Sequence, residues 1–467
     1  MRNGFLSRLA LVVACAACLG GGQAFAAAGN GTIALNVALK TDATSSVLAD
    51  LGKYGNVKGV IQSIDAVTMQ AAESQLSTIR ALPYVAAASP DAVRTGAPID
   101  TVTASDFLNG FNTWDLDAIN VTNLQPRPVR VVTQDGTGVY VAVLDTGLLQ
   151  SWRQYFPEQR IAEEFGIAFS GGGGDNGDNV STPTDKWEHD THSHGTHVTS
   201  TIIGYSLNGT PINGVAPKAT IIPVKVLNQN GAGKSSMIAA GIVYVADLKK
   251  SGQLGSSPVV INMSLGGPEL DAVEKAAIDY AIANGVILVA SAGNNGEDGM
   301  GFPGAYAPVI SAAASGWINE WQPGADGNPG NWWNADQVAD PTNANDFYIT
   351  DFSSRQLTGQ DLDVAAPGSW VVGPFQLQMG KTSYFFLGGT SMSSPHVAGI
   401  AALMAQKRTA LTPAQAESIL TSSAIPLGAG CRNVRPLPGA APAQICWGAN
   451  ATGAGLATAN AALAATP

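Results

Sequence analysis

Charge is scarce in this chain. Lys, Arg, Asp and Glu make up 13% of its 467 residues, against ~25% in an average soluble protein. Hydrophobic residues still reach 45%, enough for a sizeable core, so Asn, Ser, Thr, Gln and Gly must supply much of the polar surface, which suits an exported protein. Positive charge is scarcest in the main body. The first 99 residues hold 7 basic and 5 acidic side chains, leaving 17 and 30 for the rest. An acidic body argues against nucleic acid as a partner, because phosphate binding needs a basic patch. The switch in sign suggests that the N-terminal part docks on the remainder. No stretch beyond the N-terminus has 18 uninterrupted apolar residues, so no membrane span is expected.

Cysteine is also rare. Of the four, Cys15 and Cys18 lie in an N-terminal stretch with Arg2 and Arg8, an apolar run from Leu9 to Leu19 and the tripeptide Ala24-Phe25-Ala26. That is the layout of a cleaved secretion signal, residues 1–26. Cys431 and Cys446 remain, in a Pro/Gly-rich segment, and are expected to pair in an oxidising compartment, extracellular or periplasmic.

Beyond the signal the chain divides in two. Residues 31–93 read as a compact βαββαβ unit, within a segment taken as 27–95, and residues 96–112 read as a linker or maturation region. From residue 113 to 467 the apolar runs "VYVAVLDTG", "ATIIPVKVL", "SPVVINMSLGG" and "GVILVASAGN" lack polar alternation. Strands of that kind are buried on both faces, as in a parallel sheet. Helical stretches at 235–250 and 269–285 separate them, which predicts a doubly wound α/β domain. Its site belongs at the carboxyl ends of the strands, where Asp145, Ser264 and Asn294 fall. Three segments read as insertions: 170–189, 317–347 with four tryptophans, and 427–446.

The histidines concentrate the chemistry. Four of five, His189, His192, His194 and His197, lie within nine residues, and the fifth is His396. Two readings compete. One is a zinc site, although the segment lacks the Glu of a HExxH motif and any nearby Cys. The other makes one imidazole a general base. Asp145 in "VLDTG" would orient it, and Ser391 in "GTSMSSPHVAG" would open a helix whose N-terminal N–H groups favour developing negative charge. Asn294 in "SAGN" would present an amide donor.

These boxes, in this order and with "SLGG" between them, resemble the subtilisin family of serine proteases over residues 113–467, and residues 31–93 resemble its inhibitor-type propeptide. The resemblance implies a serine endopeptidase made as a zymogen, with its own propeptide and protein or peptide substrates as partners, working as a monomer. It makes Asp145, His194 and Ser391 the triad, with His197 structural, and Asn294 with the Ser391 N–H the oxyanion donors. It assigns Ser264, Leu265 and Gly266 to one wall of the S1 pocket and Ala292 and Gly293 to the other, with Gly301 at the base, leaving room for a large apolar or aromatic P1 residue. Ser235 stands where an aromatic often covers the S4 pocket, so that pocket is expected to be open. Structural calcium is common in the family. "YSLNGTPINGV" resembles its calcium loop with one extra residue, and "GGGGDNGDN" offers oxygen ligands, so calcium is expected without an assigned site, and no catalytic metal. A competing class, a carbohydrate- or surface-binding protein, would use Trp317, Trp321, Trp332 and Trp333 as a stacking platform rather than as the insertion's own core.

Overall fold

A computed structural model describes residues 31–103, 112–123, 129–169, 186–323, 332–376 and 383–467. The secretion signal and the "GGGGDNGDN" run lie outside these residues.

The body is built on one large sheet. In spatial order its strands are Ile167–Ala168, Thr220–Lys225, Tyr140–Asp145, Val259–Met263, Val286–Ser291, Ile310–Trp317 and Phe347–Ile349, with Val364–Pro367 also paired to Ile310–Trp317. All pairings are parallel except that of Phe347–Ile349. The chain starts in the middle at Tyr140–Asp145, steps to Thr220–Lys225 on one side, then returns to Val259–Met263 on the other. That reversal is the switch point of a doubly wound sheet, where a crevice opens at the carboxyl ends.

The missing alternation in these strands has a direct cause. Val141 and Val143 pack into one core, with the helices His194–Ile203 and Thr390–Lys407, while Ala142 and Leu144 pack into a second core with the helices Ser235–Lys250 and Ala272–Ala283. Ile287 and Val289 divide from Val286, Leu288 and Ala290 in the same way. Successive side chains still point to opposite faces, but both faces are apolar.

The tryptophans belong to the first core. Trp317 ends a strand of the main sheet, and Trp317, Trp321, Trp332 and Trp333 are at most 3% exposed. Trp317 stacks on Trp114 with ring centres 6.4 Å apart, and Trp321 packs on Phe386 at 4.7 Å and Trp370 at 5.2 Å. They form neither a platform nor a separate insertion core. Cys431 and Cys446 face each other across the hairpin Gly430–Val434/Ala443–Trp447 and are bonded. Among the described residues no helix is long and apolar enough to cross a membrane.

Residues 32–90 form a four-stranded antiparallel sheet in the order Gly55–Ile61, Ala66–Ala72, Thr32–Leu39, Val85–Pro90, with its own core around Leu35, Val37, Val67 and Ile79. It sits on the body through a polar lock. Asn36 donates from Nδ2 to Asp91, Ser235 and Asp271 at 3.0–3.1 Å. Asp91 accepts from the N–H and hydroxyl of Ser236, and so caps the Ser235–Lys250 helix from outside it. These caps and shared hydrogen bonds add to apolar contact, since Ala66 is buried in the core of the Ser235–Lys250 and Ala272–Ala283 helices, with Ala38, Ile61 and Ile64 packed against it.

The end of the propeptide segment and the start of the stretch read as a linker both continue onto the body. Val93–Thr95 pairs antiparallel with Ala232–Lys234, and Thr95 exchanges both main-chain hydrogen bonds with Gly266. Asp100–Thr103 then pairs antiparallel with Tyr384–Gly388. One chain thus crosses the crevice from side to side.

Candidate active site

Asp145 is the last residue of the central strand and His194 the first residue of a helix. Both are fully buried, and His194 Nδ1 donates to Asp145 at 2.8 Å from Oδ1 and 3.0 Å from Oδ2. The turn that delivers His194 is fixed by Asp190, whose Oδ1 accepts from the N–H groups of His192 and Ser193. Gly195 follows because the helix start lies on the Gly147 carbonyl, where a Cβ would come within 2.4 Å of the oxygen. The Thr146 hydroxyl accepts from Gly195 N at 2.9 Å and ties the strand end to the helix.

Ser391 is the second residue of the Thr390–Lys407 helix, so its N–H is one of those with no partner inside the helix. Pro395 lies inside that helix and lacks the N–H that would bond the Ser391 carbonyl. Ser264 Oγ donates to that carbonyl instead, at 2.8 Å. Ser391 Oγ in turn donates to the Ser264 carbonyl at 3.2 Å, so two hydrogen bonds join the serine to the end of the neighbouring strand. His194 Nε2 has no hydrogen-bond partner among the described residues. Gly96 of the crossing chain lies against both the Ser264 carbonyl and the His194 ring. A Cβ on it would lie 2.6 Å from the Ser264 oxygen and 3.4 Å from His194 Cε1.

Asn294 is oriented by Thr390, whose N–H and hydroxyl both donate to its Oδ1 at 2.9 Å. The amide nitrogen is thereby turned toward Gly389, where a Cβ would sit 3.6 Å from Nδ2. Thr390 also accepts from Gly293 N at 3.1 Å. The walls assigned to the pocket do converge. Gly301 N bonds the Ala292 carbonyl, Gly267 exchanges hydrogen bonds with Phe302, and Cβ atoms built on Gly266 or Gly301 would each lie 3.6 Å from the other's Cα. Leu265 contributes backbone only, since its side chain belongs to the second core.

Among the described residues the histidines do not converge with two further ligand side chains. The one group of three His, Cys, Asp or Glu ligand atoms that converges among the described residues is Asp361, Asp363 and Glu417. His197 is fully buried and donates from Nε2 to the Val371 carbonyl at 3.2 Å. Burial, then the nearby His194, pulls its pKa down to about 3, and the same two causes bring His192 to about 4. Asp190 is pushed up to about 6 by burial. Of the expected calcium segments, 205–215 closes as a hairpin turning at Asn208-Gly209. The three clustered carboxylates are hard oxygen donors of the kind calcium takes. Burial pushes Asp363 up to about 7 and raises Glu417, which a bound cation would reverse.

Two buried contacts beside the site escaped the sequence. Lys225, buried at the end of the strand beside Asp145, donates to the Thr146 and Leu227 carbonyls. Glu274, read only as part of the helical stretch 269–285, holds Arg94 of the crossing chain, and both side chains are fully buried. The "DAVE" run that begins this helix resembles a capping box, which hides the second role of its glutamate.

Comparison with known proteins gives the family. Residues 136–458 match the subtilase family, Peptidase S8. Thermitase of Thermoactinomyces vulgaris is 32% identical over 273 residues, covering 58% of this chain and 77% of its own. Subtilisin DY of Bacillus licheniformis is 33% identical over 297 residues, 63% and 86% of the two chains. Among solved structures, fervidolysin from Fervidobacterium pennivorans shares the fold over 93% of this chain and 61% of its own, with a TM-score of 0.64 at 24% identity. Sphericase does so over 74% and 97%, with a TM-score of 0.53 at 27% identity. The chain belongs to the subtilase family and is a subtilisin-like serine endopeptidase.

Proposed function

We propose that this is an exported endopeptidase made as a zymogen, and that Asp145, His194 and Ser391 are its triad. The observation that carries the reading is the buried Asp145–His194 pair, with Nε2 unpartnered and facing the segment that crosses beside Ser391. In this reading His194 Nε2 takes the Ser391 proton as the hydroxyl attacks a substrate carbonyl, and returns it to the leaving nitrogen. Asp145 holds Nδ1–H and stabilises the imidazolium. The Asn294 amide and the Ser391 N–H hold the oxyanion, and one such donor contributes about 3–4 kcal/mol. Ser264 to Gly266 and Ala292-Gly293, with Gly301 at the base, form a pocket for a large apolar or aromatic side chain. None of these groups calls on a metal. Asp361, Asp363 and Glu417 would hold a calcium ion whose role is structural.

Residues 27–95 act as the propeptide, and the strands at 93–103 support extending the docked segment to residue 103. It blocks the cleft by lying in it as an added strand, and removal by self-processing frees the enzyme. A fluorophosphonate probe tests the assignment. It should label Ser391 in the processed protein, and labelling should vanish in His194→Ala. Sequencing of the peptide products reads the P1 preference in the same experiment. Labelling that survives His194→Ala would refute the base assignment.

A further inference from the structure

The crossing chain shows which residues of a bound peptide meet which parts of the cleft. Thr95 pairs with Gly266, and extending that antiparallel register by two residues sets Ala97 opposite Ser264, whose carbonyl accepts from Ser391 Oγ. Ile99 N donates to the Gly388 carbonyl at 2.7 Å, on the far side. The bond presented to Ser391 is therefore Ala97–Pro98, and Arg94 is the fourth residue on its acyl side.

Arg94 is fully buried there. Its Nε donates to Glu274 Oε1 at 3.1 Å, its Nη2 to Glu274 Oε2, and Nη2 again to the Glu269 carbonyl at 2.7 Å. Among the described residues Arg94 supplies every hydrogen bond to the Glu274 carboxylate. A Cβ on Gly267 would strike the guanidinium at 2.7 Å, so the small residue there is part of the space that admits it. When the propeptide leaves, Glu274 is left in a pocket with a free acceptor carbonyl and Asp271 close enough to repel it. Burial already raises the Glu274 carboxyl above its ordinary range with Arg94 in place. A buried carboxylate without a partner is costly, and a planar guanidinium satisfies it bidentately.

We infer that Glu274 is a specificity-determining residue for the peptidase, selecting arginine four residues before the cleaved bond in substrates, the place that Arg94 holds relative to the bond presented to Ser391 in the uncut chain. The inference rests on the proposed function. Its test uses mature enzyme prepared from the full chain and three blocked 4-nitroanilides, Arg-Thr-Gly-Phe, citrulline-Thr-Gly-Phe and Leu-Thr-Gly-Phe. Citrulline keeps the shape of arginine and removes its charge. The arginine peptide should be favoured in kcat/KM on the order of 10- to 100-fold over both others, mainly through KM, as expected for a desolvated charge pair. Glu274→Gln should bring the ratio toward one. Ratios within twofold for the wild-type enzyme, or a preference that persists in Glu274→Gln, overturn the inference and leave the peptidase standing. The wild-type comparison decides even where the variant fails to mature. If no peptide is hydrolysed in a Ser391-dependent way, the functional reading falls and this inference with it.

Discussion

Two helices that pack together each carry a fully buried histidine bonded to an aspartate, and the two pairs differ in how the ring nitrogens are used. His194 donates from Nδ1 to Asp145 and has nothing on Nε2. His396, on the serine helix, is used at both nitrogens, by the Met392 carbonyl at 2.7 Å and by Asp115 at 2.9 Å. His197 supplies the third combination. Its Nδ1 is unpartnered, but no carboxylate bonds its other nitrogen. Of the three, His194 alone combines an orienting carboxylate with an unpartnered nitrogen toward the crevice. An imidazole serves as a general base when one nitrogen is held and the other is left open to the reacting group. Without an open nitrogen the same His–Asp pair is a brace between the serine helix and Asp115 near the start of the body.

The largest expected effect separates base from brace. His194→Ala should lower turnover of a peptide amide, per folded molecule, by several orders of magnitude, since triad members act as a unit. His396→Gln should cost stability and spare turnover. Breaking one side of a buried pair costs about 3–5 kcal/mol, while turnover per folded molecule stays within a few fold. Kinetics and thermal unfolding of both variants check this, and equal losses of turnover would dissolve the distinction.

How much of this is legible in the sequence depends on the kind of interaction. Asp145, Ser264 and Asn294 can be placed because each ends an apolar strand, and a doubly wound sheet collects strand ends at one crevice. The nitrogen that each histidine leaves open cannot, because it depends on Val371, Met392 and Asp115 from distant elements. Of the crossing strands, Val93–Thr95 read as the end of the propeptide and Asp100–Thr103 as linker, because their partners are backbone edges, Ala232–Lys234 and Tyr384–Gly388, and main-chain pairing leaves little trace in a short polar run such as "RTGAPID". Trp321 and Trp332 read as an insertion because their ring contacts reach Phe386 and Trp370, far along the chain.

A second prediction concerns what the open nitrogen of His194 faces in the zymogen. To break Ala97–Pro98 it would have to protonate the leaving nitrogen, which in Pro98 carries a ring carbon in place of hydrogen. That ring crowds the side from which the imidazole must approach. The wild-type chain should stay intact at this bond, so that self-processing uses another. Pro98→Ala should admit cleavage, and a processed chain beginning at residue 98 should appear. N-terminal mass spectrometry of both proteins reads the outcome. A wild-type processed chain that begins at Pro98 would refute the protective role.

The smallest effect is the one that isolates His197. Its ring is packed so closely that a Cβ on Gly373 would come within 2.8 Å of Cδ2, so His197→Ala should chiefly cost stability. The pH dependence gives the sign. Burial holds the folded-state pKa at about 3 against an ordinary value of 6.5, so the unfolded chain binds the extra proton as pH falls below 6.5. The stability that neutral His197 contributes is complete above that pH and is lost progressively between 6.5 and 3. Alanine does not titrate. The stability gap between wild type and His197→Ala, both carrying Ser391→Ala to prevent self-digestion, should therefore be widest at pH 7 and narrow by about 2 kcal/mol by pH 5. Urea unfolding at the two pH values measures it. A gap that widens toward pH 5 would mean that His197 carries a proton in the folded state, and the neutral, structural role argued for it would fail.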